Sequence, residues 1–319
     1  MAGFTHLALV EVDPHACASL RLNRPRWNVV ETDLAKFDAT PYKSKLDLLG
    51  GGVPCPPFSV AGKQLGAADE RDLFPVALRV IEECLPRAVM LENVRGILDP
   101  VFAPYRRSVL KQLRDLGYVP GWRLLNASHF GVPQLRPRAV LVAIQKEKAA
   151  AFKWPRQAGA APQTVGEVLL KLMKQRGWKG ASEWARQASS IAPTIVGGSK
   201  KHGGPDLGPT RARRMWAELG VDGIGIANES PETDFKGMPR LTVEMVACLQ
   251  GFPPDWQLSG KKTNAYRQVG NAFPPPVAFA VGEKIAACLL SRPKSGDIEK
   301  GDLFLDSMNS ATQQALLFG

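Results

Sequence analysis

One cysteine of the chain lies in a setting that favours chemistry over packing. Cys55 belongs to residues 47–66, where an apolar strand end leads into three glycines and then into prolines on both sides of the cysteine. The glycines allow a sharp turn and close approach of a ligand to the backbone, and the prolines fix φ and prevent regular structure. Loops that follow strands carry the chemistry in many α/β folds. Cys55 is therefore a candidate nucleophile, and the alternative is a proline-rich turn that happens to contain a cysteine.

Other polar residues with possible chemistry stand beside predicted strands. Glu92 directly follows the apolar strand predicted for residues 88–91, so its carboxylate either meets solvent or serves a site. Gln134, Arg136 and Arg138 alternate with other residues, and an extended backbone would project all three side chains to one face. Two arginines on one face favour an anionic or acceptor-rich ligand, unless they line the solvated edge of a sheet.

Composition restricts the classes of function that these residues can serve. The chain has 41 Lys and Arg against 30 Asp and Glu, a formal charge of +11, which favours nucleic acid as a partner or indicates a generic basic protein. The five cysteines show neither metal-ligand spacing nor a disulfide pattern, so we predict no metal site, reduced thiols and a cytoplasmic location. We recognise no signal peptide and no apolar run of the ~18 residues that a membrane span needs.

The order of the predicted elements indicates the fold. Strand and helix signals alternate through residue 144, which predicts an α/β chain with a doubly wound, mostly parallel sheet. The first strand ends near Glu11, an acid that commonly binds ribose hydroxyls at this position or is simply solvated. Asp13 and Pro14 are predicted to start the helix that follows. An apolar helix predicted for about residues 277–290 should pack on this sheet.

Residues from about 146 to 239 differ in character from the rest of the chain. Gly, Pro, Ser and Arg are frequent there and hydrophobic periodicity is poor, so we predict a separate small domain built largely from loops. Its basic residues are suited to phosphate groups, unless the whole region is a solvated insertion without a partner. These basic residues are Lys200, Lys201, Arg211, Arg213 and Arg214.

Five stretches in a fixed order resemble the conserved motifs of the DNA (cytosine-5)-methyltransferase family. They read GGVPCPPFS from Gly51, LENVRG from Leu91, QLRPR from Gln134, RLTVEMVACLQGFP from Arg240 and RQVGNAFPPPVA from Arg267. The resemblance implies a Rossmann-like methyltransferase fold dependent on S-adenosyl-L-methionine. It implies a catalytic and cofactor domain in residues 1–145 and 240–290, a target-recognition domain in 146–239 and a flexible tail in 291–319.

The resemblance also implies roles for individual residues. Cys55 would add to C6 of a cytosine flipped out of double-stranded DNA, and Glu92 would hydrogen-bond the base at N3 and at its amino group. Arg138 would hold O2 of the base, and Arg136 would help to order the site. Residues expected to contact S-adenosyl-L-methionine are Glu11, Asp33, Pro54, Leu73 and Asn271, with Phe74 beside Leu73 in the pocket. Residues expected to contact DNA, besides the basic residues of the small domain, are Ser59 and Gln134.

The chain departs from the family pattern in two places. Pro56 follows Cys55 where the family usually has glutamine. The family's first motif, a Phe-x-Gly-x-Gly loop after a central strand, is not found, so we expect the sheet to lack its first strand and to expose two ladders of unpaired backbone groups. The hypothesis that follows is a methyltransferase shortened at its N-terminus, through a miscalled start, as a gene remnant, or as a split enzyme with a complementing N-terminal fragment. The alternative is an inactive DNA-binding remnant or subunit that cannot hold the cofactor.

Other interpretations and partners stay open on the sequence alone. An RNA-directed relative is disfavoured by the sizeable basic region before residue 240, and an unrelated α/β protein is disfavoured by five motifs in order. A restriction endonuclease is a possible partner in function. The apolar residues between Gln314 and Phe318 resemble short peptides that dock on the sliding clamp, although an unstructured end is the simpler interpretation.

Overall fold

A computed structural model describes residues 2–53, 72–157, 159, 161–197 and 205–291 of the chain. The strands in this part are β1 (Leu9–Glu11), β2 (Val29–Glu31), β3 (Leu48–Gly52), β4 (Ala88–Val94), β5 (Tyr118–Asn126) and β6 (Pro137–Gln145). The α-helices are α1 (Pro14–Asn23), α2 (Phe74–Cys84), α3 (Ala103–Asp115), α4 (Lys146–Ala149), α5 (Val165–Met173), α6 (Ala181–Gln187), α7 (Thr210–Glu218), α8 (Val243–Leu249), α9 (Lys262–Asn271) and α10 (Pro275–Leu290).

The described strands form two hydrogen-bonded sheets rather than one. β1 pairs with β2 in parallel, with Leu9 opposite Val29. The second sheet has the order β3-β4-β6-β5, in which β3 is parallel to β4 and β6 is antiparallel to both of its neighbours. Among the described strands the pairing is therefore evenly mixed, and the prediction of a mostly parallel sheet is wrong in this respect. The connection from β5 to β6 is too short for the helical crossover that parallel pairing requires.

Helices cover both faces of the four-stranded sheet, as the doubly wound prediction requires. Val89 of β4 and Leu141 of β6 face one cluster of apolar side chains, which contains the inner faces of α2 and α3. Ala88 and Val142, one residue away on the same strands, face a second cluster that contains α10. Side chains alternate between the two faces of a strand. The two central strands are thus buried on both sides, which explains why they read as continuous apolar runs.

The first helix begins as the sequence predicts. The Asp13 carboxylate accepts hydrogen bonds from the backbone N–H groups of His15 and Ala16, and Pro14 occupies the first turn. Such a cap satisfies two of the donors that a helix start leaves unpaired. On its other side α1 is joined to α9, since the Ser19 hydroxyl donates to the side-chain oxygen of Gln268 at 2.6 Å. The β1–β2 sheet is therefore held by its helix as well as by strand pairing.

The region that we predicted as a small domain shares its hydrophobic core with two later helices. Side chains of α5, α6 and α7 pack in one cluster with Met245, Val246 and Leu249 of α8 and with Tyr266 and Val269 of α9. The boundary predicted at residue 239 therefore does not coincide with a gap in packing. Most residues of the region lie outside helices, in agreement with the poor periodicity of the sequence. The helix α9 was not predicted, because its apolar residues are few.

The C-terminal helical stretch packs against the sheet. By length and composition alone, Lys262–Leu290 would suffice to cross a membrane, although no such run was predicted from the sequence. The described structure divides this stretch into α9 and α10, and Val277, Val281 and Ile285 of α10 are buried against the sheet. The prediction that an apolar C-terminal helix docks on the first domain is confirmed, and its partner there is the four-stranded sheet.

Candidate active site

Glu92 and Arg138 form a largely buried ion pair between the two central strands. The antiparallel register sets Arg138 of β6 opposite Val94 of β4, so Arg138 and Glu92 are diagonal neighbours on one face. The Arg138 Nε atom donates to Glu92 Oε1 at 2.7 Å, and each side chain is only 12% exposed. Strand pairing thus brings Arg138 to the Glu92 carboxylate, whose partner could not be identified from the sequence.

The surroundings of this pair favour proton transfer by the carboxyl group. Burial raises the pKa of Glu92, while the positive charges of Arg138 and Arg136 act in the opposite direction. Burial also lowers the pKa of Arg138, and the negative charge of Glu92 opposes this. A carboxyl group whose pKa is raised holds a proton more readily near neutral pH, which is the property required of a general acid.

The end of β3 is fastened to β4 directly beside Glu92. The Val53 N–H donates to the backbone carbonyl of Glu92 at 3.0 Å, and the Asn93 side chain donates to the Val53 carbonyl at 2.9 Å. A Cβ atom placed on Gly52 would lie 3.3 Å from Glu92 Oε2, so the glycine lets the backbone pass close to the carboxylate. Sequence reasoning assigned no role to Asn93, although its position next to Glu92 in a resembling motif was a signal.

Asp72 fixes the chain at the start of α2. Its Oδ1 accepts from the Phe74 N–H at 3.0 Å, and the Tyr105 hydroxyl donates to its Oδ2 at 2.5 Å. Phe74 is fully buried and packs edge-on against Tyr105, so the prediction that it lines a ligand pocket is wrong. Leu73, immediately before it, is only partly buried. Asp72 is a further residue that sequence reasoning missed.

Several predicted site residues fall outside the part of the chain that the structure describes. The nucleophile candidate Cys55 is among them, and the others are Pro54, Ser59, Lys200, Lys201 and the residues between Gln314 and Phe318. Their roles stay predictions. For the residues that are described, no group of His, Cys, Asp and Glu side chains could hold a metal ion.

Gln134 and Arg136 are buried with Arg138, as the alternating pattern predicts, but they contact the protein itself. Gln134 is completely buried, and its amide donates to Gln250 Oε1 at 2.6 Å and accepts from the Ile195 N–H at 2.9 Å. This contradicts the predicted DNA contact of Gln134, since its polar atoms already have partners. It also excludes the alternative of a solvated sheet edge, which would leave the alternating side chains in water.

Arg136 directs its guanidinium group to backbone carbonyls. It donates to the carbonyls of Gly270 and Ala272 at 2.7 and 3.0 Å, and to that of Ile195. Burial lowers its pKa to about 9, with the nearby charge of Arg138 acting in the same direction, so the group stays charged at neutral pH. The ordering role of Arg136 stays a prediction, and these three carbonyls are the groups that it would order.

The acids predicted to bind the cofactor lie at one end of the β1–β2 sheet. Glu11 ends β1, and its Oε1 accepts from the Val12 and Asp13 N–H groups, both at 2.8 Å. Asp33 follows β2 by two residues and is exposed, and its Oδ1 accepts from the Ala35 N–H at 2.9 Å. Parallel pairing brings both carboxylates to the carboxyl edge of the sheet, where α/β folds bind nucleotide-like ligands. Their orientation is fixed by nearby backbone.

Asn271 lies where α9 ends, close to the segment before residue 198. It is exposed, and a Cβ atom placed on Gly197 would lie 1.9 Å from its Oδ1. Gly197 therefore leaves room for the Asn271 side chain in the conformation observed. The structure thus leaves Asn271 accessible at a junction of chain segments, which is compatible with the predicted contact.

The basic helix α7 presents two of its arginines to solvent. Arg211 and Arg214 are exposed, whereas Trp216 of the same helix is fully buried in the core of this region. Arg213 is partly buried and its side chain packs near Gly223. Two of the three predicted DNA-contacting residues on this helix are therefore accessible to a phosphate backbone.

Comparison with known proteins assigns the family. A family model described as C-5 cytosine-specific DNA methylase matches residues 1–287. This chain belongs to the C-5 cytosine-specific DNA methylases. It is 58% identical over 293 residues to the Type II methyltransferase M.NaeI of Lentzea aerocolonigenes, covering 90% of this chain and 71% of the relative. It is 53% identical over 291 residues to the Type II methyltransferase M.NgoMIV of Neisseria gonorrhoeae, covering 90% and 92%.

Solved structures of this methylase's fold agree with the assignment. The S. pombe Dnmt2 methyltransferase matches with a TM-score of 0.57 at 19% identity, covering 90% of each chain. A Spodoptera frugiperda DNMT2 variant matches with a TM-score of 0.59 at 16% identity, covering 90% of this chain and 94% of that one. At such identities the likeness establishes the fold alone. The predicted family and its methyltransferase fold are confirmed, and the enzyme is a DNA (cytosine-5)-methyltransferase.

Proposed function

We propose that this methylase modifies a cytosine flipped out of double-stranded DNA, through a covalent bond between the Cys55 sulfur and C6 of the base. The observation that carries the proposal is the buried Glu92–Arg138 pair, fastened through Asn93 to Val53. Cys55 follows Val53 by only two residues, and each residue adds about 3.8 Å between Cα atoms. The anchored strand end therefore supports delivery of the cysteine to the neighbourhood of Glu92.

Glu92, Cys55 and Arg138 are each proposed to contact a different atom of the base. Glu92 in its protonated form donates to N3, which draws electrons from C6 and lets the Cys55 thiolate add there. Arg138 binds O2 and keeps Glu92 in place through the hydrogen bond from its Nε atom to Glu92 Oε1. The electron pair displaced from the C5–C6 bond then leaves C5 nucleophilic. After methyl transfer to C5, a base removes the C5 proton, the C6–sulfur bond breaks and the aromatic ring is restored.

S-adenosyl-L-methionine fits the cofactor residues and supplies the methyl group when it is bound. The donor set is suitable, because Glu11 offers a carboxylate that backbone N–H groups hold at a strand end, and ribose hydroxyls donate to such an acceptor. Asp33 offers an exposed acceptor for the adenine amine, and Asn271 offers both a donor and an acceptor for the methionine end. Pro54 and Leu73 complete the proposed contacts.

Residues 146–239 are proposed to recognise the DNA target. Exposed Arg211 and Arg214 on α7 suit the phosphate backbone, and Lys200, Lys201 and Ser59 are proposed as further contacts. The relatives M.NaeI and M.NgoMIV are Type II methyltransferases, a class that belongs to restriction–modification systems. We therefore propose a restriction endonuclease as the functional partner and the cytoplasm as the place of action.

The test of this function is formation of 5-methylcytosine by the purified protein. Unmethylated plasmid DNA is incubated with S-adenosyl-L-methionine, digested to nucleosides and analysed by mass spectrometry, and bisulfite sequencing locates the modified cytosines. We expect methylation at one short sequence by the wild type and its loss in Cys55→Ser with DNA binding retained. Cys248→Ser is the matched control, since Cys248 lies in α8 outside the proposed site. Equal methylation by Cys55→Ser and the wild type would refute the proposal.

A complementing strand is a further proposal, supported by the separation of the two sheets. In the described part of the chain β1 pairs with β2 and β3 pairs with β4, so one parallel strand could pair with β1 and β3 together. A synthetic family-type strand with its glycine loop, added in trans, should raise methylation if it completes the sheet. If the chain binds DNA but does not methylate it even with the added strand, the hypothesis of an inactive DNA-binding remnant is favoured instead.

Clamp binding through the residues between Gln314 and Phe318 is the least supported partner proposal. Its support is the sequence of that stretch. The chain with and without these residues should differ in recovery on immobilised sliding clamp, and equal recovery would end the idea.

A further inference from the structure

Gln134, Arg136 and Gln250 form a buried polar cluster that the reaction itself does not use. Gln134 and Gln250 are completely buried, and Arg136 is 1% exposed. The Gln134 amide donates to Gln250 Oε1 at 2.6 Å and to the Leu249 carbonyl at 3.2 Å. We call these three side chains the junction. Buried polar groups are costly unless they are paired, so a hydrogen-bonded cluster of this kind restricts the geometry of the groups that it binds.

One side of the junction holds a single residue of the segment before residue 198. The Ile195 N–H donates to Gln134 Oε1 at 2.9 Å, and its carbonyl accepts from Arg136. The side chain of Ile195 is buried in the core of the proposed recognition region. Both backbone groups of Ile195 are thus bound by neighbouring residues of one extended stretch, which leaves this peptide little freedom to shift.

The other side of the junction holds the turn that carries Asn271. Arg136 donates to the carbonyls of Gly270 and Ala272, which flank Asn271 on both sides. The Gln250 side chain donates to the same Ala272 carbonyl at 2.8 Å. Two side chains therefore fix the direction of the peptides around Asn271, the residue proposed to bind the methionine end of the cofactor.

Close backbone contact joins the two sides directly as well. A Cβ atom placed on Gly270 would lie 2.5 Å from the Cα atom of Gly197, so the turn and the segment touch without intervening side chains. The extended stretch that supplies Gln134 and Arg136 continues into Arg138, which binds Glu92. A displacement of the segment at Ile195 therefore cannot occur without strain at the turn of Asn271.

We propose that Gln250 is a positioning residue that couples DNA binding by the proposed recognition region, whose core contains Ile195, to cofactor binding at Asn271. Gln250 directly follows α8 and touches Gln134, which holds Ile195, on one side of the junction and the Ala272 carbonyl on the other side. Its amide both accepts and donates, and a side chain that does only one of these breaks the connection. The inference rests on the proposed binding of DNA and cofactor by this chain.

The test measures coupling between two bound ligands rather than turnover. The affinity for S-adenosylhomocysteine, which cannot react, is measured by calorimetry with and without a duplex that contains the methylated site. For the wild type we expect the duplex to change this affinity about fivefold or more, the lower end of usual coupling between sites. For Gln250→Leu we expect the duplex to change the affinity for S-adenosylhomocysteine by less than about twofold. The affinity measured without DNA should differ from that of the wild type by a smaller factor than the coupling does.

Two further variants keep this test decisive. Gln250→Glu, measured at a pH that ionises the new carboxyl group, retains an oxygen that accepts from Gln134 but cannot donate to Ala272, so it should lose coupling even if Gln250→Leu folds poorly. Gln112→Leu is the matched control, because Gln112 is exposed on α3 and bonds within its own helix. Wild-type coupling in Gln250→Glu, or no coupling in the wild type, would overturn the inference. Failure of the proposed function would show separately, as absence of 5-methylcytosine with the wild type.

Hydrogen exchange provides a readout without any ligand. Because Gln250 orients Gln134, the Ile195 amide that donates to Gln134 should exchange faster in Gln250→Leu than in the wild type. Amides of α3 serve as the internal reference. Unchanged exchange at Ile195 would contradict the proposed connection through Gln134.

Discussion

The four-stranded sheet and the β1–β2 sheet hold their acidic residues in different ways. Glu92 on β4 is almost enclosed and bonded to a guanidinium group from the neighbouring strand. Glu11 and Asp33 lie at the ends of β1 and β2, and their carboxylates accept from backbone N–H groups within two residues. The first arrangement shifts the pKa of the carboxyl group and depends on burial by the surrounding fold. The second only orients a carboxylate and leaves it accessible to a ligand. Substitutions should therefore affect mainly stability and proton transfer in one sheet, and mainly ligand binding in the other.

The largest effect is expected when the partner of Glu92 is removed. Arg138→Leu leaves a buried carboxylate without its cation, which should lower the free energy of unfolding by about 3–5 kcal/mol at neutral pH. The matched change in the other sheet is Arg21→Leu, because the Arg21–Glu31 pair is 48% and 41% exposed. Exposed pairs contribute about 0–1 kcal/mol. Urea unfolding gives the free energy of unfolding of both variants. Equal losses would show that the greater burial of the Glu92–Arg138 pair does not increase its contribution to stability.

A smaller effect is expected where the proposed cofactor turn meets the segment before residue 198. In Gly270→Ala the new methyl group would lie 2.5 Å from the Cα atom of Gly197, and backbone cannot yield as a flexible side chain can. Such overpacking should lower the free energy of unfolding by about 1–3 kcal/mol. Gly159→Ala is the control, because no group of the described residues lies within 4 Å of the position that its methyl group would take. Equal stability of both variants in thermal unfolding would contradict the close contact.

Substitution of an accessible acid should lower the affinity for the cofactor and change the free energy of unfolding little. Glu11→Gln weakens the acceptor proposed for the ribose hydroxyls, so binding of S-adenosylhomocysteine should fall about tenfold, or about 1.4 kcal/mol. Stability should stay within about 0.5 kcal/mol of the wild type, as for most surface substitutions. Glu31→Gln on the adjacent strand is the control and should bind normally. An unchanged affinity of Glu11→Gln in calorimetry would remove Glu11 from the proposed site.

The smallest effect is expected in the pH dependence of stability. Burial raises the pKa of Glu92 in the folded protein above its value in the unfolded chain. The folded state then binds the proton more tightly, so the contribution of Glu92 is largest below the unfolded pKa and is lost as pH rises through the folded pKa. Relative to Glu92→Gln, which cannot titrate, the wild type should lose stability from about pH 4 upwards. If urea unfolding shows that the wild type gains stability relative to Glu92→Gln over this range, the charge of Arg138 affects the pKa of Glu92 more than burial does.

Much of the site could be predicted because its signals are local. The alternation of Gln134, Arg136 and Arg138 predicted one common face, and the apolar residues before Glu92 predicted its place near the C-terminal end of a strand. Asp13 and Pro14 predicted the start of α1. In each case the signal lies within a few residues, where side-chain period and backbone restriction are decisive. The partners of these side chains were not predictable, because they come from strands and turns far away in the sequence.

The predictions that failed concern what a side chain meets after folding. Gln134 was assigned to DNA from its motif, yet its partners are Gln250 and Ile195, which are distant in sequence. Phe74 was assigned to a pocket, yet it packs on Tyr105 in the core. The sheet was predicted as mostly parallel, yet β6 enters it antiparallel to β4 and β5. Periodicity reports which face a residue occupies and carries no information about which element covers that face.

The sequence by itself determined the family, the candidate nucleophile Cys55 and the order of the elements, because each depends on residue types at short fixed spacings. The tertiary structure decided that Glu92 is paired with Arg138, that Asn93 fastens Val53 beside it, and that Gln250 connects two distant segments. Register and packing bring these residues together from strands and turns that are far apart in the chain. Pairing and burial, which set the pKa of Glu92, exist only once the strands have met.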